Sequence, residues 1–287
     1  MTVNQRVAGS SPAGGAILDK PSEMMACSFI VNGLFVLICY FNKKFQSFMF
    51  RIIFTSIICA LILIFFLAAC CKTDNNQTLT GKIFTDDFTA GTDGWIGDFA
   101  DYPTDPAQIP SYQLEFTYAV LPDPLNTSDG ALKQSGINRS DDLFMFIKKK
   151  ITGLEPGRNY TVDIKVDFAS NAADNMVGVG GAPGEGVTIK AGAVSIEPIK
   201  IANTIENYYR MNIDKSNQSQ SGMDMKVIGN FANGTDLNVY KIKQLSTLTP
   251  LNVSANQQGE IWLVIGTDSG FESITTIYYN SIQATIK

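Results

Sequence analysis

The chain has 287 residues, with 22 basic and 27 acidic side chains, five cysteines, no histidine and a formal net charge of −5. The missing histidine excludes Ser-His-Asp and Cys-His nucleophiles, imidazole-bound zinc and a histidine pH switch. All five cysteines (Cys27, Cys39, Cys59, Cys70, Cys71) lie in the first quarter of the chain, so the rest has neither a disulfide framework nor a thiolate metal site.

Residues 1–23 are rich in Gly, Ser and Ala and show no hydrophobic period, which predicts no stable structure. An apolar stretch at 24–41, broken by Asn32 and Gly33, has only the minimum length for a membrane span. Lys43, Lys44 and Arg51 separate it from a second apolar run and would stay on the cytoplasmic side. Two readings stand. Either translation starts at Met49 and residues 1–48 are a disordered or mis-assigned upstream segment, or the chain begins with a membrane hairpin. Met49-Phe50-Arg51 supplies a short basic start and favours the first reading.

Residues 49–69 read as a signal peptide, with an apolar run from Ile52 to Leu67 closed by small residues. The closing Leu67-Ala68-Ala69-Cys70 resembles the lipobox of bacterial lipoproteins. That resemblance implies cleavage before Cys70, acylation of Cys70 and a permanent membrane anchor, because each buried methylene adds ~0.8 kcal/mol. It implies a bacterial outer-membrane lipoprotein. An uncleaved membrane anchor is the alternative, though no basic stop-transfer cluster follows the run. Cys71-Lys72-Thr73-Asp74 resembles the surface-export signal of Bacteroidetes lipoproteins and implies exposure at the cell surface. Residues 70–81 read as a polar tether.

Residues 1–69 hold five basic and two acidic side chains, so the remainder carries 17 against 25, a net −8. An acidic domain repels phosphate backbones, which argues against a nucleic-acid partner. From residue 82 the sequence becomes short alternating runs punctuated by Gly, Asn, Asp and Pro. Tyr160–Phe168 is the clearest strand, with Val162, Ile164, Val166 and Phe168 inward and Thr161, Asp163, Lys165 and Asp167 outward. Further strands are predicted at 112–118, 143–151, 186–191, 208–213, 225–228, 238–243, 260–265 and 275–286. Trp262 is expected in a central strand, apolar on both faces. No helical period occurs beyond Cys70. The fold class predicted for 82–287 is all-β, one β-sandwich.

Within that pattern, Gly153-Leu154-Glu155-Pro156-Gly157-Arg158-Asn159-Tyr160 resembles an edge found in fibronectin-like sandwiches and in galactose-binding-type jelly rolls. Residues 275–286 resemble the closing strand of carbohydrate-binding jelly rolls, and 266–272 their final loop. The resemblance implies a jelly roll that binds carbohydrate. It also implies a structural calcium held by Asp86, Asp87 and Asn280, although the family usually carries Asp where Asn280 stands. Ordinary turn acids are the alternative for these three, and no other cofactor is implied.

Two stretches are candidate sugar contacts. In 95–103, Trp95, Asp98, Asp101 and Tyr102 interleave rings with carboxylates in a Gly/Pro-bounded loop, which suits stacking and hydrogen bonding to a saccharide. The other reading folds this loop down to bury Trp95 and Phe99. In 208–214, strand period puts Tyr208, Arg210, Asn212 and Asp214 on one face, either a saccharide platform or a solvated face, with Tyr209, Met211 and Ile213 in the core. Arg139–Asp142 and Lys148–Lys150 read as surface ion pairs. The Gly-rich 178–186 lacks the Gly-Lys-Ser/Thr ending of a phosphate loop and reads as a hairpin connection. The functional expectation is therefore a non-catalytic, sugar-directed binding domain with membrane and polysaccharide as partners. The rivals are an envelope scaffold without a small ligand and a two-carboxylate glycan enzyme.

Overall fold

The structure, a computed structural model, describes residues 81–287, so Cys70, the lipobox and both apolar stretches lie outside the described residues. The strands are β1 (Lys82–Asp86), β2 (Ile96–Ala100), β3 (Tyr102–Pro103), β4 (Glu115–Val120), β5 (Gly130–Ile137), β6 (Leu143–Ile151), β7 (Asn159–Ser170), β8 (Val187–Val194), β9 (Lys200–Asn203), β10 (Tyr208–Met211), β11 (Met225–Asn230), β12 (Lys241–Ser246), β13 (Leu251–Ser254), β14 (Ile261–Ser269) and β15 (Ile274–Ile286). A single 3-10 turn, Ile109–Tyr112, interrupts them among the described residues.

The domain is an all-β sandwich of antiparallel sheets. A seven-stranded sheet runs β12-β7-β15-β5-β4, with β13 extending the outer edge of β7 and β1 pairing with the last residues of β15. A five-stranded sheet runs β11-β8-β14-β6-β2, and a small third sheet runs β3-β10-β9.

The inner faces of the two large sheets make the main core. Strand β7 contributes Val162, Ile164, Val166 and Phe168, and its polar residues turn outward as the alternation demands. Strand β15 contributes Ile277 and Tyr279, then Ile282, Ala284 and Ile286. A bulge between Tyr279 and Ser281 resets the alternation and keeps both halves of the strand facing inward. The five-stranded sheet is buried on both faces. Its inner face carries Leu143, Met145, Ile147, Leu263 and Ile265. Its outer face carries Phe144, Phe146, Trp262, Val264 and Met225, roofed by Met211 and Ile213 from the β9–β10 hairpin and the turn after it. Trp262 thus lies in the middle strand, as its apolar surroundings predict.

Several local expectations are corrected. The strand expected from Tyr112 begins at Glu115, because Pro110 sets a 3-10 turn that holds Tyr112. The stretch 95–103 is not a loop but β2 and β3, joined at Asp101 in left-handed backbone (φ 63°). The strand expected at 238–243 is shifted to Lys241–Ser246. Strand β5, unexpected from its sequence, buries a polar residue: Gln134 Nε2 donates to the carbonyls of Asp98 and Phe146 across the sandwich.

Candidate functional site

The aromatic and acidic stretch 95–102 is consumed by the fold. Trp95 is 2% exposed and donates its indole N–H to Asp86 Oδ2 at 2.9 Å. Tyr102 is equally buried, its ring 5.8 Å from Tyr112 and 5.0 Å from Tyr209. Asp98 accepts from the Lys200 ammonium at 2.7 Å, and Lys200 also donates to the Tyr102 hydroxyl. Buried rings of this size contribute packing energy and have no free face to stack on a ligand. Trp95 and Tyr102 are therefore structural, and Asp98 ties the β9 strand to β2.

The calcium residues do not form a cation cage. Both Asp86 oxygens lie within 2.8 Å of Lys149 Nζ, Asp87 caps the turn at Thr89, and Asn280 donates its amide towards the Gly130 carbonyl at 3.4 Å. A carboxylate already neutralised by an ammonium and a side chain acting as donor are poor calcium ligands. Among the described residues no group of three or more His, Cys, Asp or Glu side chains is disposed to hold a metal. These residues do not fit the calcium site that the jelly-roll resemblance implies.

The row 208–214 is also not a flat platform, because the strand ends at Met211. Asn212 turns back, accepting from the Ile199 N–H and donating to the Glu197 carbonyl. Asp214 accepts from the backbone N–H groups of Met223 and Ser216, which hold its carboxyl below the usual range. Tyr208 and Arg210 remain together, the guanidinium 4.9 Å above the ring.

What the fold does bring together is Asp101 and Arg210, on opposite sides of the β2–β10 junction, with three residues the sequence reading did not select: Asp142, Glu206 and Lys215. They line a cavity of about 320 Å3 along with Met211, Ile213, Asp214, Ser216 and Asn217. Asp101 is 2% exposed and sits between two cations, with Arg210 Nη1 2.8 Å from Oδ1 and Lys215 Nζ 2.8 Å from Oδ2. Arg210 Nε reaches Glu206 at 2.7 Å, and Asp142 lies 3.9 Å from the guanidinium. Behind this layer, Lys215 Nζ also contacts Asp268 at 2.9 Å, and Asp268 pairs with Lys190 at 2.7 Å with both side chains fully buried. The strand register explains that pair. Gly266 stands opposite Lys190 and Thr188 opposite Asp268, so the two charges are diagonal neighbours on the outer face of the five-stranded sheet.

The electrostatics follow from this chain of charges. Burial pushes the Asp142 carboxyl up to about 7, against the pull of Lys215 and with help from Asp268 and Asp101. Burial also lowers Lys190, outweighing Asp268. For Lys215 burial acts downward too, but Asp268, Asp101 and Asp142 outweigh it and the ammonium ends above its ordinary value. Two buried oxygens in the cluster, Asp142 Oδ1 and Asp268 Oδ1, have no hydrogen-bond donor, while Asp101 Oδ2 is in ion-pair contact with Lys215 at 2.8 Å. The arrangement is a rigid, desolvated set of charged donors and acceptors whose outer members face a cavity.

The buried pair behind the cavity, Lys190 and Asp268, does carry a sequence signal, a charge inside an apolar pattern. Lys190 interrupts Val187–Val194, where every residue is buried, and Asp268 extends an apolar strand that the sequence reading ended at Ile265. Charges are almost never fully buried unless paired.

No protein-family model matches the chain, and no curated protein matches it. Solved structures similar to it include the enzymatically active domain of tailspike protein 4 from bacteriophage CBA120, at 12% identity and a TM-score of 0.31, covering 67% of this chain and 19% of that one. The cleaved adhesin domain of Lys-gingipain from Porphyromonas gingivalis is similar at 9% identity and a TM-score of 0.32, covering 71% and 98%. The CBM22-1 and GH10 modules of a Clostridium thermocellum endo-1,4-β-D-xylanase match at 13% identity and a TM-score of 0.33, covering 70% of this chain and 28% of theirs. The chain thus spans under a third of the tailspike and xylanase chains. At such distances the function has to be read from this chain's own residues.

Proposed function

We propose that residues 82–287 form a non-catalytic binding domain for carbohydrate, carried on a lipid anchor at Cys70. The observation that carries the ligand class is the cavity built on Asp101, Asp142, Glu206, Arg210 and Lys215. Arg210 and Lys215 hold the Asp101 and Glu206 carboxylates at 2.7–2.8 Å, so their orientation is fixed before a ligand arrives. Fixed bidentate donors and acceptors suit vicinal hydroxyl pairs, and preorganisation lowers the entropy cost of holding them. Asn217 and Ser216 add an amide and a hydroxyl at the same wall. The anchor reading rests on the resemblance of Leu67-Ala68-Ala69-Cys70 to a lipobox, and an acylated Cys70 would hold the domain at the bacterial outer membrane.

The full-length protein purified in detergent and screened on a glycan array tests the ligand class. Arg210→Ala should abolish binding while leaving the melting temperature within a few degrees of the parent. Retention on no glycan would sink this reading in favour of an envelope scaffold, and hydrolysis of a bound polysaccharide would make the domain an enzyme. Mass spectrometry of the N-terminal peptide tests the anchor: an acylated Cys70 supports it, and an uncleaved chain contradicts it.

A further inference from the structure

We propose that one proton held between the Asp142 and Asp268 carboxyls latches two adjoining turns, residues 139–142 and 216–221, onto the five-stranded sheet, and that losing it in mildly alkaline solution lets them swing outward. The latch belongs to the ligand-free protein and goes beyond the carbohydrate reading.

The two acids have unequal partners. Asp268 Oδ2 meets two ammonium groups, Lys190 at 2.7 Å and Lys215 at 2.9 Å. Asp142 Oδ2 makes its one ion-pair contact among the described residues with the Arg210 guanidinium, at 3.9 Å. That leaves Asp142 Oδ1 and Asp268 Oδ1, each buried and without a donor, on two carboxyls within hydrogen-bonding reach of each other. Two ionised carboxylates at that range repel. A proton between them converts the repulsion into a hydrogen bond and serves both oxygens at once.

The surrounding charges are even only with that proton in place. The pair is faced by Lys190 from β8, Arg210 from β10, Lys215 from the turn after it and Asp101 from the β2–β3 junction, with Glu206 of the β9–β10 hairpin beyond Arg210. Asp214, beside Lys215, is spent on the backbone N–H groups of Ser216 and Met223. Three cations thus stand against the carboxyls of Asp101, Glu206, Asp268 and Asp142, and one proton restores the balance. Burial places it on Asp142, lifting that carboxyl to about 7.

The chain geometry gives the proton something to hold. Asn138 pins the start of the first turn by donating its amide to the Ser269 carbonyl at 2.7 Å. Past it, Asp141 adopts left-handed backbone at φ 63°, and its carbonyl accepts from Gln218 Nε2 at 2.8 Å. Ser216 and Gln218 are left-handed as well, at φ 56° and φ 40°. Non-glycine residues in that region carry strain that surrounding contacts must hold down. The 216–221 turn therefore leans on Asp141, and Asp141 adjoins the carboxyl that loses its proton. Once Asp142 ionises beside Asp268, its hydration draws the first turn out and the Gln218 tie goes with it. Ser216 and Asn217 line the cavity, so the same step reshapes its wall.

The test is hydrogen exchange of the full-length protein in detergent, without ligand, at about pH 5.5 and about pH 8.5, with rates corrected for the intrinsic effect of pH. Below the Asp142 titration the latch is closed; above it the latch is open. Exchange across 139–142 and 216–221 should therefore rise about tenfold or more relative to β15 in the parent. Asp142→Asn, whose amide can donate to Asp268 at either pH, should keep both turns protected, with a change below about twofold. Infrared difference spectra of the parent between the same two conditions give a second readout that needs no variant. Ordinary carboxyls have already ionised at about pH 5.5, so one buried carboxylic-acid C=O band should disappear on going to about pH 8.5. Level protection of the two turns in the parent, or a rise that Asp142→Asn shares, overturns the latch. Absence of the acid band overturns the shared proton, and neither result touches the glycan array.

Discussion

Lys190 Nζ and Asp268 Oδ2 meet 2.7 Å apart with neither side chain reaching solvent, one on β8 and the other on β14 of the same sheet face. Lys190 also donates to the Lys215 carbonyl, and Lys215 returns to Asp268, so the pair closes a buried ring of charge under the cavity. Removing one member leaves the other charge desolvated without compensation. Asp268→Ala should therefore cost about 3–5 kcal/mol, lowering the melting temperature by roughly 10 °C in thermal denaturation. The double change Lys190→Met with Asp268→Leu should cost clearly less than the two single changes added together. Strict additivity would show that the two charges do not depend on each other.

Asp142 gives the domain a pH signature. Its carboxyl sits at about 7 in the fold against 3.8 for the free side chain. The folded state thus binds the proton more tightly than the unfolded state. The stability this contributes is complete below the free value and is lost as pH rises through about 7. Because the side chain is partly open to the cavity, the loss should be on the order of 1–2 kcal/mol. Melting temperatures taken from about pH 5 to about pH 8 should fall for the parent and fall less for Asp142→Asn. Parallel curves for the two proteins would remove Asp142 as the source.

Trp95 and Trp262, at 2% and 8% exposure, are both interior. Tryptophan emission should be blue-shifted, resistant to a soluble quencher and unchanged when a glycan binds. Trp95→Phe deletes the donor to Asp86 but leaves Lys149 on that carboxylate, so it should cost about 1–2 kcal/mol. Quenching of either indole by ligand would place the site elsewhere.

Lys148 fastens the β9–β10 hairpin to the sheet. Its ammonium reaches Glu197 at 2.7 Å and the Pro198 carbonyl at 2.8 Å while lying 5.5 Å from the centre of the Trp262 ring. Lys148→Ala should raise hydrogen exchange across residues 196–213 well above that of β7 and β15, with a stability loss of about 1–3 kcal/mol. Uniform exchange across the domain would show that the hairpin opens only with the whole fold.

The sequence carried the architecture where alternation is clean and lost it where polar residues are buried for a purpose. Strand β6 was legible to the residue, and the inward face of β7 side chain by side chain. Strand β5 was hidden by Gln134, whose burial makes sense only once the carbonyls of Asp98 and Phe146 stand opposite it. At the site, Asp101 and Arg210 could be picked as unusual residue types. Their partners Asp142, Lys215 and Glu206 come from other turns of the chain, and nothing local marks them as neighbours. For Trp95 the sequence left two readings, a ligand platform or a ring buried with Phe99, and burial is the one found: both side chains are interior and the indole N–H donates to Asp86.

The covering of the five-stranded sheet on both faces bears on how the chain finds its register. Strands β6, β8 and β14 are largely buried on both sides, so burial alone would tolerate a slip of one residue, which exchanges the two faces. The charges prevent it. Lys148, Lys190 and Asp268 all belong to the outer face, where Glu197, Lys215 and one another await them. A slipped strand would drive an ammonium or a carboxylate between Met145, Leu263 and Ile265, with nothing there to neutralise it. These ion pairs thus act as alignment pins during assembly, and variants that remove them should show misfolded or heterogeneous product before they show a hole in the native state.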